Sequence, residues 1–174
     1  MENPHNHATP ANWVVMGVCG CGKSEIGSLL AAALHVPFVE GDAFHSDANV
    51  TKMASGTPLG DDDRADWLLR LQSEIAAAHA RGEGLVLACS ALKQRYRDVL
   101  RAANPGLRFA HLSGERDLIA GRMRERLAHY MPTSLLESQL RDLEPLAPGE
   151  AGITLDVRHA PPALVTQILQ AQGQ

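Results

Sequence analysis

Gly17-Val18-Cys19-Gly20-Cys21-Gly22-Lys23-Ser24 follows the pattern G-x-x-x-x-G-K-[ST], and its flanks narrow the fold further. Before it runs Trp13-Val14-Val15-Met16, a short apolar stretch that reads as a buried strand. After it, Ile26, Leu29, Leu30 and Leu34 fall at helical spacing, so a helix should begin near Lys23. Strand, glycine loop and helix in that order are the setting in which such a loop holds phosphate. Glycines let the backbone curl so that successive N–H groups converge on phosphate oxygens. The helix N-terminus adds unpaired donors and a partial positive charge. Lys23 then brings a full charge to the β- and γ-phosphates, and the Ser24 hydroxyl a ligand for Mg²⁺. The stretch predicts a nucleotide-binding chain.

The remainder alternates in the same rhythm. Apolar runs at 36–40, 85–89, 108–112 and 153–157 predict four further strands. Between them, the spacing predicts helices at 50–55, from Asp61 onward, and at 92–103, 115–127, 134–143 and 161–172. Asp61, Asp62 and Asp63 suit a helix first turn, with Trp67, Leu68, Leu71, Ile75 and Ala78 as its apolar face. Asn104-Pro105-Gly106 is a stop signal. Short apolar strands alternating with amphipathic helices predict a five-stranded parallel sheet with helices on both faces, a three-layer α/β fold. Ligands bind such sheets beyond the carboxyl ends of the strands.

With 174 residues, 45% hydrophobic and 21% charged, the chain fits one domain, 13–174, after a polar tail at 1–12 that is expected to be disordered. His5 and His7 in that tail fall short of a metal site's ligand count. A net charge of −4 argues against a nucleic-acid or anionic-membrane partner. No apolar run approaches the ~20 residues of a membrane span, and the tail lacks a signal peptide's apolar core, so the expected location is cytoplasmic. Cys19, Cys21 and Cys89 form no disulfide framework. Inside the loop, backbone N–H groups and Lys23 should lower the Cys19 and Cys21 thiol pKa values.

Residues just past each strand carry the chemistry. Asp42 follows the second strand, where a carboxylate could face the phosphate loop and orient an attacking hydroxyl; His45 is close behind. Ser90 follows the third strand and looks placed to cap the next helix, with Lys93, Arg95 and Arg97 beyond it. Either Ser90 or Asp42 could reach the Mg²⁺ shell. Arg122 and Arg126 are four apart on one helical face, at the edge of a polar stretch (128–133). Like charges at that spacing repel unless an anion lies between them, which suggests a lid, about 122–138, closing over nucleotide phosphates.

Several separate segments together are similar to the gluconokinase family of small P-loop kinases. They are the loop itself, Gly41-Asp42-Ala43-Phe44-His45, Lys52-Met53-Ala54-Ser55-Gly56-Thr57-Pro58-Leu59, and Asp61-Asp62-Asp63-Arg64 with Trp67-Leu68. Cys89-Ser90-Ala91-Leu92-Lys93 with Tyr96-Arg97, and Ser138-Gln139 through Leu143-Glu144-Pro145, complete the set. The resemblance implies ATP- and Mg²⁺-dependent phosphorylation of D-gluconate on its 6-hydroxyl, a P-loop kinase fold with a small lid, and often a homodimer. Carried over, Gly17, Val18, Cys19, Gly20, Cys21, Gly22, Lys23 and Ser24 bind ATP, with Ser24 toward the metal. Lys23, Asp42, Arg122 and Arg126 serve catalysis. On the acceptor side stand Asp42, His45, Lys52, Arg64 and Lys93, with the fork of Arg64 suited to the gluconate carboxylate. The family commonly has serines at positions 19 and 21 and an asparagine at position 60, where this chain has Cys19, Cys21 and Gly60. A kinase for another acceptor, such as shikimate or a different sugar acid, and an ATPase switch without an acceptor remain as alternatives.

Overall fold

The computed structural model describes residues 10–126 and 132–173. Five parallel strands lie in the order β2-β3-β1-β4-β5: β1 (Asn12–Met16), β2 (Phe38–Glu40), β3 (Leu85–Ala88), β4 (Arg108–Ser113) and β5 (Gly152–Asp156). Val14 pairs with Leu87 on one side and Phe109 on the other, so β1 is the centre of the sheet. Every residue of β1 and β3 is buried, as continuous apolar strands covered on both faces require. The expected tail ends one residue early, since Asn12 already belongs to β1; residues 1–9, with His5 and His7, lie outside the described residues.

Strand periodicity divides the core in two. Trp13 and Val15 point to the face covered by α1 (Lys23–Leu34) and α7 (Pro161–Gln172), packing with Ile26, Leu30, Leu164 and Ile168. Val14 and Met16 point to the face covered by α3 (Asp61–Ala80) and α4 (Gln94–Ala103), packing with Trp67, Leu71, Leu87 and Phe109. Leu29, expected on the apolar face of α1, is 42% exposed, because the buried stripe runs through Ile26, Gly27, Leu30 and Ala31. α2 (Asp47–Ala54) precedes α3, while α5 (Arg116–Glu125) and α6 (Thr133–Asp142) follow β4. Chain order reverses at β1: the connection after β1 leads to β2 on one side, and β4 lies on the other. The crevice past the end of β1 is therefore the topological switch point, where such sheets bind ligands.

One expected cap is different. Ser90 does not cap α4, whose first residue is Gln94; the Gln94 N–H donates to the Glu144 carboxylate at 2.7 Å instead. Glu144 also donates its own N–H to the Leu92 carbonyl at 2.8 Å. Arg97 fixes the same loops from beneath. Its guanidinium is fully buried, pairs with Glu150 through Nε and Nη2 at 2.8 Å each, and donates to the carbonyls of Ala91, Leu92, Glu144 and Pro145. Arg97 is thus a core residue.

Candidate active site

At the end of β1 the backbone turns sharply at Gly17, with φ at +146°. A Cβ there would stand 2.7 Å from the Leu112 carbonyl oxygen, so only glycine fits. The Gly17 N–H donates to the Ser90 carbonyl at 3.2 Å, tying the loop to the exit of β3. Gly22, also at positive φ, opens α1, and Lys23 and Ser24 occupy its first turn. Lys23 Nζ donates to the Val18 carbonyl at 2.9 Å and so arches back over the loop. The Ser24 hydroxyl donates to Glu40, the last residue of β2. A hydroxyl beside a carboxylate is the hard oxygen donor set that Mg²⁺ takes. Among the described residues no group of three or more His, Cys, Asp or Glu could hold a metal alone.

Asp42 sits two residues beyond Glu40 in a 3-10 turn, Gly41–Phe44, with its side chain exposed. The turn is held from below: Trp67 Nε1 donates to the Gly41 carbonyl at 2.8 Å. Gly41 is pressed so closely on the Ala88 carbonyl that a side chain would collide. Burial works against the charge on Lys23, but the surrounding Cys21, Asp42, Cys19 and Cys89 together outweigh it and hold its pKa above the ordinary value. The thiols behave opposite to expectation. Burial pushes Cys19 up to about 11 and raises Cys21 as well, and in both cases it outweighs the opposing effect of Lys23. Cys89 beneath them rises to about 12 for the same reason.

The residues expected on the acceptor side gather between α2, α3 and the start of α4. His45 stacks on Trp67, ring centroids 4.4 Å apart, and burial lowers its pKa. Lys52 pairs with Asp63 at 2.6 Å, and the same carboxylate accepts the Gly60 N–H at the start of α3. Lys93 pairs with Asp61 at 3.0 Å. Asp61 also takes Arg95 and the Tyr96 hydroxyl; Tyr96, Arg95 and Lys93 together hold its carboxyl far below the usual carboxylate range. Arg64 is buried; its Nη1 donates to the Tyr96 hydroxyl at 3.3 Å and to Asp142 of α6 at 3.2 Å. Arg64, Lys93 and Arg95 surround the Tyr96 ring at 5.6 to 5.7 Å from its centroid. A knot of cations on one aromatic, answered by two carboxylates, is suited to an anionic polyhydroxy molecule.

On the other side of the loop, Arg122 donates to the Val157 carbonyl at 2.7 Å. α5 ends at Glu125, earlier than expected, which leaves Arg126 at its C-cap. Arg122 and Arg126 nonetheless line one cavity of about 140 Å³ with Gly20, Gly22, Val157 and His159. The central part of the expected lid, 127–131, lies outside the described residues. A larger open crevice, about 490 Å³, lies past β4 and β5. Lined by residues of β4, β5 and the turns after them, it does not touch the phosphate loop.

A family model described as "Shikimate kinase" matches residues 19–171. The thermosensitive gluconokinase of Escherichia coli (strain K12) is 39% identical over 161 residues, covering 92% of this chain and 86% of that protein. This chain belongs to the gluconokinase family. A crystal structure of a family member, the gluconokinase of Sinorhizobium meliloti 1021, superposes with a TM-score of 0.86 at 42% identity, covering 95% of this chain and 93% of that one. An unliganded sugar kinase from Janibacter sp. HTCC2649 gives 0.90 at 44% identity, covering 94% and 95%. The chain is a kinase of this family, with its five-stranded parallel P-loop fold. Glu40, Gln139 and Asp142, for which the sequence analysis predicted no site role although the last two lie in a segment shared with the family, contact the expected site residues Ser24, Cys19 and Arg64. Glu40 read as the last residue of a strand, and the other two reach the site from α6.

Proposed function

We propose that this protein transfers the γ-phosphoryl group of ATP to the 6-hydroxyl of D-gluconate, giving 6-phospho-D-gluconate and ADP. What supports the reading is a phosphate loop with the exposed carboxylate of Asp42 close enough to act on Lys23, and a cluster of cations around Tyr96, in a chain 39% identical to a gluconokinase. Phosphoryl transfer passes through a loose transition state, so catalysis is mostly positioning and charge. The loop N–H groups and Lys23 hold the β- and γ-phosphates. Ser24 and Glu40 would hold Mg²⁺, which would supply charge neutralisation at the phosphates. Asp42 orients the 6-hydroxyl and accepts its proton. Arg64 takes the gluconate carboxylate, exchanging its single bond to Asp142 for a two-pronged one, while His45, Lys52 and Lys93 meet the hydroxyls. Arg122 and Arg126 close on the nucleotide. The reaction belongs in the cytoplasm, where ATP and Mg²⁺ are at hand.

The match to a shikimate kinase model favours testing a second acceptor. ADP release is measured with ATP, Mg²⁺ and, in turn, gluconate, shikimate, glucose, glycerate or no acceptor. Stimulation by gluconate alone supports the proposal; equal turnover in every tube points to an ATPase, and preference for shikimate to a different kinase.

A further inference from the structure

The phosphate loop is held by a residue from the far end of the chain. The Cys19 N–H donates to Gln139 Oε1 at 2.7 Å, across 120 residues of sequence. Because an N–H must meet an oxygen, this bond fixes which end of the carboxamide faces the loop, and the Nε2 end is left with two donors. Among the described residues those donors meet no protein acceptor.

The position along the loop gives the contact its meaning. Lys23 Nζ lies against the carbonyl of Val18, the residue before Cys19. Since that ammonium serves the β- and γ-phosphates, Cys19 marks the γ end of the loop, and the start of α1 marks the other end. α6 is seated firmly enough to act there: Leu136 is fully buried in the same core cluster as Val18 and Cys21. Three residues past Gln139, on the same face of α6, Asp142 holds Arg64. One helix therefore touches the phosphate loop and the acceptor arginine together.

We propose that Gln139 is a positioning residue for phosphoryl transfer: its carboxamide oxygen sets the Cys19 end of the loop, and its NH₂ faces the γ-phosphoryl group. A neutral amide suits this place. A carboxylate would also accept the Cys19 N–H, but it would set a negative charge against the nucleotide's terminal phosphate. The inference rests on the ATP reading of the loop.

Two variants test it. Gln139→Met removes both acceptor and donors at similar volume. It should lower kcat about tenfold, the scale of one lost hydrogen bond, while the gluconate KM stays within about twofold. Gln139→Glu keeps an oxygen for Cys19 and adds charge. It should weaken ATP binding about tenfold and leave ADP binding within about twofold, because only ATP carries the facing phosphate. Affinities are read by calorimetry without acceptor, so a failed gluconate assay leaves this test intact and speaks only to the substrate. Wild-type kcat in Gln139→Met, or equal weakening of ATP and ADP in Gln139→Glu, overturns the proposal. Should Gln139→Met lose its fold by circular dichroism, the ATP-to-ADP ratio in Gln139→Glu decides alone.

Discussion

Glu150→Gln should cost the protein about 3 kcal/mol of stability near pH 7, by two routes that agree. The Glu150 side chain is 4% exposed and that of Arg97 fully buried. The carboxylate accepts two bonds from Arg97, one from Arg101 at 2.7 Å and one from the Ala147 N–H at 2.8 Å. Glutamine keeps the shape but removes the charge and turns an NH₂ toward donors. Breaking a buried pair from one side costs about 3–5 kcal/mol. Independently, Arg97 and the other donors hold the Glu150 carboxyl at about 2 against an ordinary 4.5. At about 1.4 kcal/mol per pKa unit, that gap is worth about 3 kcal/mol. For a chain of this size the loss corresponds to a melting temperature lower by about 10 °C. A depressed carboxylate stabilises fully above its unfolded pKa of 4.5 and loses that contribution as pH falls through about 2. Urea unfolding of both proteins should therefore show a constant gap from about pH 7 to 5 that shrinks by about 2.5 kcal/mol near pH 2.5. A gap below about 1 kcal/mol at neutral pH, or one indifferent to acid, would refute the role given to this pair.

Other consequences are simpler to read. Lys23→Ala should reduce kcat by about a hundredfold or more with an unchanged fold, since it removes charge stabilisation and no core packing; near-normal turnover would remove Lys23 from the site. Arg64→Lys should raise the gluconate KM about tenfold and leave the ATP KM alone, because an ammonium cannot make the two-pronged contact. An unchanged gluconate KM moves that role elsewhere. Cys19, with a pKa near 11, should react with iodoacetamide at neutral pH at least about tenfold more slowly than free cysteine, and mild peroxide should leave activity intact. Rapid alkylation would contradict the burial argument.

The sheet was legible because each strand is a short apolar run and each crossover helix keeps its own period; β1, β3 and the start of α1 fall within a residue or two of expectation. The phosphate loop was legible because its function is written in consecutive residues. What escaped depends on contacts between distant residues. Ser90 was a reasonable cap by local rules, but a carboxylate 50 residues away takes the Gln94 N–H. The thiols had the neighbours that lower a pKa, yet sequence does not show burial, and burial dominates. Glu40 was read as a strand end until α1 folded beside it and brought Ser24 to its carboxylate. Arg64 was singled out for its fork, but its partner Asp142 comes from 78 residues further on.

The destination of the transferred phosphate distinguishes a gluconate kinase from an ATPase most directly. Wild-type protein with ATP, Mg²⁺ and D-gluconate would be followed by phosphorus NMR together with ADP release. A single phosphomonoester on the C6 oxygen, formed in step with ADP, is the predicted result. Inorganic phosphate in step with ADP, with gluconate unchanged, would contradict it.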